Sequence, residues 1–286
     1  MLKDEDSVVK RLAVYIEING INKYAGEIKG TDSNNACFTY AEEYLENPEH
    51  RAISIGLPLE EKTFNAQRTR IFFEGLLPEG FTRRCVAEWI FVEDGRRING
   101  FLVPRRLHQE DFAQALGIAA AEKYEKNHEG YLKKIFTVIR SHSSDPMVDS
   151  LKLWDICVFN YLIGNTDNHI KNLSFIYGED LKSVRLAPAY DIVSTMIYDS
   201  STEDMALGID GIYNIREIDR TSFENEASSV GLGPKIAMKR FDHLVDNFAD
   251  ALNQAKEELL RQGFYQTQEI SEMIMKKGGI NHCRLK

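Results

Sequence analysis

The pattern of apolar and polar positions divides the chain into a strand-rich front and a helical body. From Leu12 to Glu27 a β-branched and aromatic run is broken by Asn19-Gly20 and followed by a second short apolar stretch, which predicts two strands joined by a tight turn. Ala36–Tyr40 and Ala52–Leu57 supply two further strand candidates, and Thr69–Leu77 has the apolar spacing of a short buried helix. That stretch closes on Leu77-Pro78-Glu79-Gly80, a turn signal. Val86–Val92 and Ile98–Val103 predict a hairpin around Glu93-Asp94-Gly95-Arg96-Arg97. After Arg106 the spacing becomes helical over Asp111–Leu116, Glu129–Arg140, Pro146–Leu162 and Arg240–Gln262. Strand-like pieces remain at Leu173–Tyr177 and Val184–Ala187. The expected fold class is α+β: a small β-rich N-terminal unit, then a mainly helical body.

Composition narrows the class. Of 286 residues 43% are hydrophobic, enough for a sizeable core, and 35 basic against 44 acidic residues leave a formal charge of −9. That balance argues against the whole surface binding a phosphate backbone. Cys37, Cys85, Cys157 and Cys283 form no Cys-x-x-Cys pair, so neither a zinc site nor a disulfide framework is indicated. The first residues lack the basic-then-apolar run of a signal peptide, and no stretch reaches the ~20 apolar residues that span a bilayer. The expectation is a cytoplasmic protein with no membrane partner.

Candidate chemistry concentrates in two segments. In Tyr161-Leu-Ile-Gly-Asn-Thr-Asp-Asn-His-Ile-Lys-Asn-Leu-Ser-Phe175, the polar residues Asp167, His169, Lys171 and Asn172 crowd between apolar elements. Such a loop is costly unless it is exposed or coordinates something. In Leu186-Ala-Pro-Ala-Tyr-Asp-Ile-Val193, Asp191 follows a short strand. Phosphoryl transfer needs a carboxylate to take a hydroxyl proton and oxygen ligands for magnesium. Protein kinases supply these as an Asp, an Asn five residues later and a second Asp after a following strand, and Asp167, Asn172 and Asp191 have that arrangement. Lys171 is placed to offset charge on the phosphoryl oxygens. The spacing alone equally fits a helix cap at Asn165-Thr166-Asp167, an Asx turn at Asp191 and a packing role for His169.

Asn165-Thr-Asp-Asn-His-Ile-Lys-Asn172 with Leu186-Ala-Pro-Ala-Tyr-Asp191 resembles the catalytic and metal loops of the HipA family of serine/threonine kinases. His108-Gln-Glu-Asp-Phe-Ala-Gln-Ala-Leu-Gly117 with Glu122-Lys-Tyr-Glu125 resembles that family's signature at the start of its helical lobe. Phe72-Phe-Glu-Gly-Leu-Leu-Pro-Glu-Gly80 resembles the end of its small N-terminal domain. Met205-Ala-Leu-Gly-Ile209 and the helix from Arg240 fit its C-terminal region. The resemblance implies an N-terminal subdomain over 1–80, a remnant small-lobe hairpin and hinge over 81–106, and a kinase-like helical lobe over 107–286. It implies ATP and magnesium as cofactors, Asp167 as general base, and Asn172 and Asp191 as metal ligands. Lys171 and His169 would lie near the phosphates, and Tyr190 would line the nucleotide site. The implied partners are a DNA-binding antitoxin of helix-turn-helix type, DNA only through that antitoxin, and an aminoacyl-tRNA synthetase as substrate.

The match breaks after Gly80. Where the family carries a phosphate-binding loop and a strand lysine, Val86–Val103 follows almost at once, and residues 63–122 contain no lysine. Gly95-Arg-Arg-Ile-Asn-Gly100 has Phe101 where a Walker loop needs Lys, and reads as a hairpin turn. Pro104 removes a backbone donor from the expected hinge. Three readings follow: an impaired kinase, a pseudokinase that binds an antitoxin or substrate, or an internally deleted remnant.

Overall fold

The computed structural model describes residues 9–31, 34–76 and 108–283. The hairpin expected over 86–103, and with it the hinge, lies outside them. The described chain forms two compact units, one reaching to Ala120 and including Ile176–Val184, the other comprising Ala121–Phe175 and the residues from Arg185 on.

The first unit is built on a four-stranded antiparallel sheet in the order β1 (Lys10–Ile18), β2 (Ile21–Gly30), β3 (Cys37–Tyr40) and β4 (Thr63–Phe64). Asn19 and Gly20 both take positive φ, 51° and 77°, which is what a two-residue hairpin turn requires of them. Between β3 and β4 runs the short helix α1 (Glu42–Glu46), and α2 (Ala66–Gly75) follows β4. Phe38, Tyr40, Tyr44, Phe64 and Phe72 are buried together as the core. The strand expected over Ala52–Leu57 is absent; the segment is a turn with a single bridge between Ser54 and Leu57. Its backbone is satisfied by side chains instead: Ile53 N–H donates to the Tyr40 hydroxyl at 3.0 Å and Ile55 N–H to the Glu110 carboxylate at 3.2 Å. Glu110 also accepts from the Ser54 and Tyr177 hydroxyls, while burial pushes its carboxyl above the usual range.

β5 (Gln109–Asp111) leads into the short helix α3 (Phe112–Leu116), where Asp111 and Gln114 form a reciprocal capping box and Gly117 closes the turn at φ 68°. The second unit contains α4 (Tyr131–His142) and α5 (Pro146–Ile163); β6 (Ser174–Tyr177) and β7 (Val184–Leu186) come next in the chain, where it passes into the first unit and back. A hairpin of β8 (Asp204–Ile209) and β9 (Ile212–Asn214) follows, then α6 (Arg220–Ser229), α7 (Pro234–Arg261), α8 (Thr267–Lys277) and α9 (Ile280–Cys283). α5 is the central element: Leu153, Trp154, Val158, Tyr161 and Leu162 are all buried. Its polar tips are spent on neighbours, Trp154 Nε1 on the Ala237 carbonyl at 2.9 Å and the Tyr161 hydroxyl on the Ile218 carbonyl at 2.6 Å. The mixed architecture with a small N-terminal sheet is as the sequence predicts. α7 begins six residues before the expected Arg240, because Ala237 and Met238 already face the core. α6 and α8 are seen only in the structure.

One ion pair fixes the strand that leads to Asp191. Asp149 is fully buried on α5, and its carboxylate takes a two-pronged pair from Arg185 at 3.0 Å each. It also accepts from the Ser143 hydroxyl at 2.6 Å and from Leu186 N–H at 2.9 Å. Burial alone would raise this carboxyl, but Arg185, Ser143 and the Leu186 amide outweigh it and hold it below the usual aspartate range. Asp149→Asn is expected to cost about 2–4 kcal/mol at pH 7, because it leaves buried donors without their anion. Since the folded-state value is depressed, the deficit should be complete above about pH 4, the unfolded value, and shrink as pH falls through it. Urea unfolding of both proteins at several pH values measures this.

Candidate functional site

α5 ends at Gly164, whose φ of 73° turns the chain out of the helix. A Cβ there would lie 2.9 Å from that of Met196, so this position requires glycine for space as well as conformation. The loop that follows is organised by buried amides. Asn165, 1% exposed, donates through Nδ2 to Asn160 Oδ1 at 2.7 Å and to the Asp191 carbonyl at 3.2 Å. Its Oδ1 accepts from Asp167 N–H at 3.2 Å, an Asx turn in place of the helix cap considered for this segment. A 3-10 turn, Ile170–Asn172, follows, and no side chain caps it.

Asn172, 7% exposed, joins the two predicted carboxylate segments. Its Nδ2 donates to the Asp167 carbonyl at 3.1 Å and to Asp191 Oδ2 at 2.9 Å. Both amide protons are thereby used, which turns Asn172 Oδ1 and the second Asp191 oxygen into available oxygen donors. Asp191 has φ 55°, a left-handed conformation that aspartate tolerates better than most residues. Asp167 and Asp191 are exposed, whereas Asn165, Thr166, Asn168, His169, Ile170 and Asn172 around them are buried. The arrangement presents two carboxylates to solvent from a rigid polar frame.

The structure thus brings Asp167, Asn172 and Asp191 together and places the other predicted residues around them. Tyr190 is a strut: its hydroxyl donates to the Lys171 carbonyl at 2.7 Å and shares a hydrogen bond with Ser174 Oγ. Lys171 is half-buried. His169 is buried and packs edge-on against the Tyr124 ring, with centroids 5.3 Å apart. Tyr124 was not among the residues singled out for chemistry, yet its hydroxyl donates to Asp167 Oδ1 at 2.6 Å. The only sequence signal for it is its place in the Lys-Tyr-Glu triplet. Glu125 of the same triplet is a buried staple. Its carboxylate accepts from the N–H groups of Gly130 and Tyr131 at the start of α4 and from Gly208 N–H on β8.

Among the described residues no group of three or more His, Cys, Asp or Glu side chains could hold a metal ion. An asparagine oxygen beside one carboxylate is instead the sparse, hard set that magnesium accepts when waters and phosphate oxygens complete its shell. Also among the described residues, no helix is long and apolar enough to cross a membrane.

Comparison with known proteins gives the chain its family. The HipA-like C-terminal domain matches residues 74–253 and the HipA N-terminal domain residues 16–99. The chain belongs to the HipA-like kinase family. Its sequence is 36% identical over 180 residues to Y4mE of Sinorhizobium fredii, covering 63% of this chain and 40% of that protein. It is 29% identical over 150 residues to the serine/threonine-protein kinase toxin HipA of Shewanella oneidensis, covering 49% of this chain and 34% of that one. The chain therefore matches well under half the length of these curated relatives. Its fold is similar to a chain in the solved Shewanella oneidensis toxin–antitoxin complex of HipA, HipB and operator DNA, with a TM-score of 0.51 and 16% identity. That similarity covers 100% of this chain and 67% of the other.

The amide frame predicts its own test. Asn165→Ala removes hydrogen bonds to three partners in a buried setting and is expected to cost about 1–3 kcal/mol. Hydrogen exchange should show faster loss of the Asp167 amide proton than of the α5 amides if the frame acts locally as described.

Proposed function

We propose that the chain is a HipA-type protein serine/threonine kinase in which Asp167 is the general base and Asn172 and Asp191 hold magnesium. The observation that carries this reading is the Asn172 amide, which ties the Asp167 main chain to the Asp191 carboxylate while both carboxylates face solvent. Asp167 would accept the proton of the acceptor hydroxyl as its oxygen attacks the γ-phosphorus of ATP and ADP departs. Magnesium bound by Asn172 Oδ1 and Asp191 would neutralise charge on the phosphate oxygens. Lys171 and His169 belong to the phosphate side in this reading, and Tyr190 to the wall of the nucleotide site. The domain assignment that goes with it is an N-terminal subdomain over 1–80, a small-lobe remnant over 81–106 and a kinase lobe over 107–286.

The Shewanella complex joins HipA to HipB and operator DNA; from that and from the family resemblance, the partner in this reading is a helix-turn-helix antitoxin that carries the DNA contact, and the substrate an aminoacyl-tRNA synthetase, in a cytoplasmic toxin–antitoxin pair. A second reading, a pseudokinase that engages such partners without phosphorylating them, is favoured by the absence of lysine from residues 63–122. Catalysis of this type is largely positioning and charge stabilisation, so loss of the phosphate-pairing lysine would be severe.

Calorimetry with magnesium and ATP separates these readings. The kinase reading expects binding that weakens about tenfold or more in Asp191→Asn, and phosphate transfer that falls about 100-fold in Asp167→Asn with ATP affinity kept. No ATP binding by the unaltered chain would leave the pseudokinase; transfer unchanged in Asp167→Asn would remove the assigned base.

A further inference from the structure

The Tyr124 hydroxyl donates to Oδ1 of Asp167 at 2.6 Å, within the range of a charge-assisted O–H bond to a carboxylate. A general base makes this same contact with the hydroxyl it deprotonates. Beside the pair lies a cavity of about 690 Å³ whose walls include Lys126, Thr166, Thr202, Asp204 and Tyr213. Asp167 and Tyr124 line it, but Asn172 and Asp191 do not. The cavity thus includes the proposed base without the proposed metal ligands, as the acceptor side of a phosphoryl transfer would. Its size is that of a site for a ligand or a few peptide residues.

Tyr124 differs from the structural tyrosines near it. Tyr131 and Tyr161 are buried and donate to the main-chain carbonyls of Glu122 and Ile218. Tyr124 is 41% exposed, with the Lys123 ammonium 5.4 Å from its ring centroid and His169 at its edge. A ring held at the surface by such contacts can swing aside at modest cost, whereas a core tyrosine cannot.

We propose that Tyr124 is a resident stand-in for the acceptor hydroxyl, and that this cavity receives a protein segment bearing a serine or threonine once Tyr124 releases Asp167. The proposal rests on reading Asp167 as the base. In the exchange the incoming hydroxyl takes the phenol's place on Oδ1. Its proton passes to Asp167 as the new O–P bond forms and the bond to the departing diphosphate breaks. With no acceptor present, the phenol holds Oδ1 in place of a water that this oxygen would otherwise activate, and so suppresses hydrolysis of the nucleotide.

Tyr124→Phe keeps the ring and its contacts with His169 and Lys123 and removes only the competing hydroxyl. Dephosphorylated casein, labelled for fluorescence anisotropy, serves as the acceptor probe. The variant is expected to bind it about threefold more tightly or better, because no hydrogen bond to a charged group must be broken first. A merely structural tyrosine would give equal or weaker binding, and that result, or no binding by either protein, overturns the proposal. Phosphate transfer to casein that persists in Asp167→Asn would remove the base reading beneath it. Transfer lost in Asp167→Asn, with Tyr124→Phe binding casein like the unaltered chain, would remove the role of Tyr124 alone.

Discussion

Asn165 and Asn172 are buried amides, and each spends its donors on a main-chain carbonyl and a neighbouring side chain. Everything distinctive about the site depends on them. An isolated loop with Asp167, His169, Lys171 and Asn172 in six positions would pay heavily in conformational entropy and desolvation. The amides offset that cost by satisfying main-chain groups of the loop and of the Asp191 segment. Satisfied polar networks of this kind rigidify their surroundings, and losing one member strands several partners at once.

Carboxylates serve two separate purposes in this protein, and solvent exposure distinguishes them. Asp149, Glu110 and Glu125 lie inside, each receiving three or more hydrogen bonds, and act as anchors that join distant stretches of chain. Asp167 and Asp191 are exposed, and among the described residues each carboxylate holds one hydrogen bond. Carboxylates with lone pairs to spare are the ones that can take a proton or a cation. The two sets are linked through β7: Asp149 grips Arg185 and Leu186, and Asp191 follows five residues after Leu186.

Much of this organisation is legible in the sequence. The Asp167, Asn172 and Asp191 spacing pointed to one cluster, and the long apolar run of α5 pointed to a buried helix entering it. Local strand signals gave β1, β2, β3, β6 and β7. The Ala52–Leu57 segment departs from its strand pattern because its β-branched residues find their hydrogen bonds on the Tyr40 hydroxyl and the Glu110 carboxylate, partners 13 and 55 residues away from the amides they satisfy. Tyr124 escaped notice for a similar reason. Its contact with Asp167 spans 43 residues, and a tyrosine in a loop carries no local mark of what its hydroxyl will meet. Sequence patterns report periodicity and spacing, whereas side-chain partners across long separations are set by packing.

The left-handed backbone at Asp191 has a consequence for how such a protein can drift. Apart from glycine, only aspartate and asparagine occupy that conformation with little strain. Were Asp191 the metal ligand proposed above, a lineage that abandoned phosphate transfer would have an easy exit through asparagine, one base change from aspartate, which removes the carboxylate while the main chain keeps its conformation. Working and silent members of such a lineage can share one shape, and a partner that reads only the surface would treat them alike.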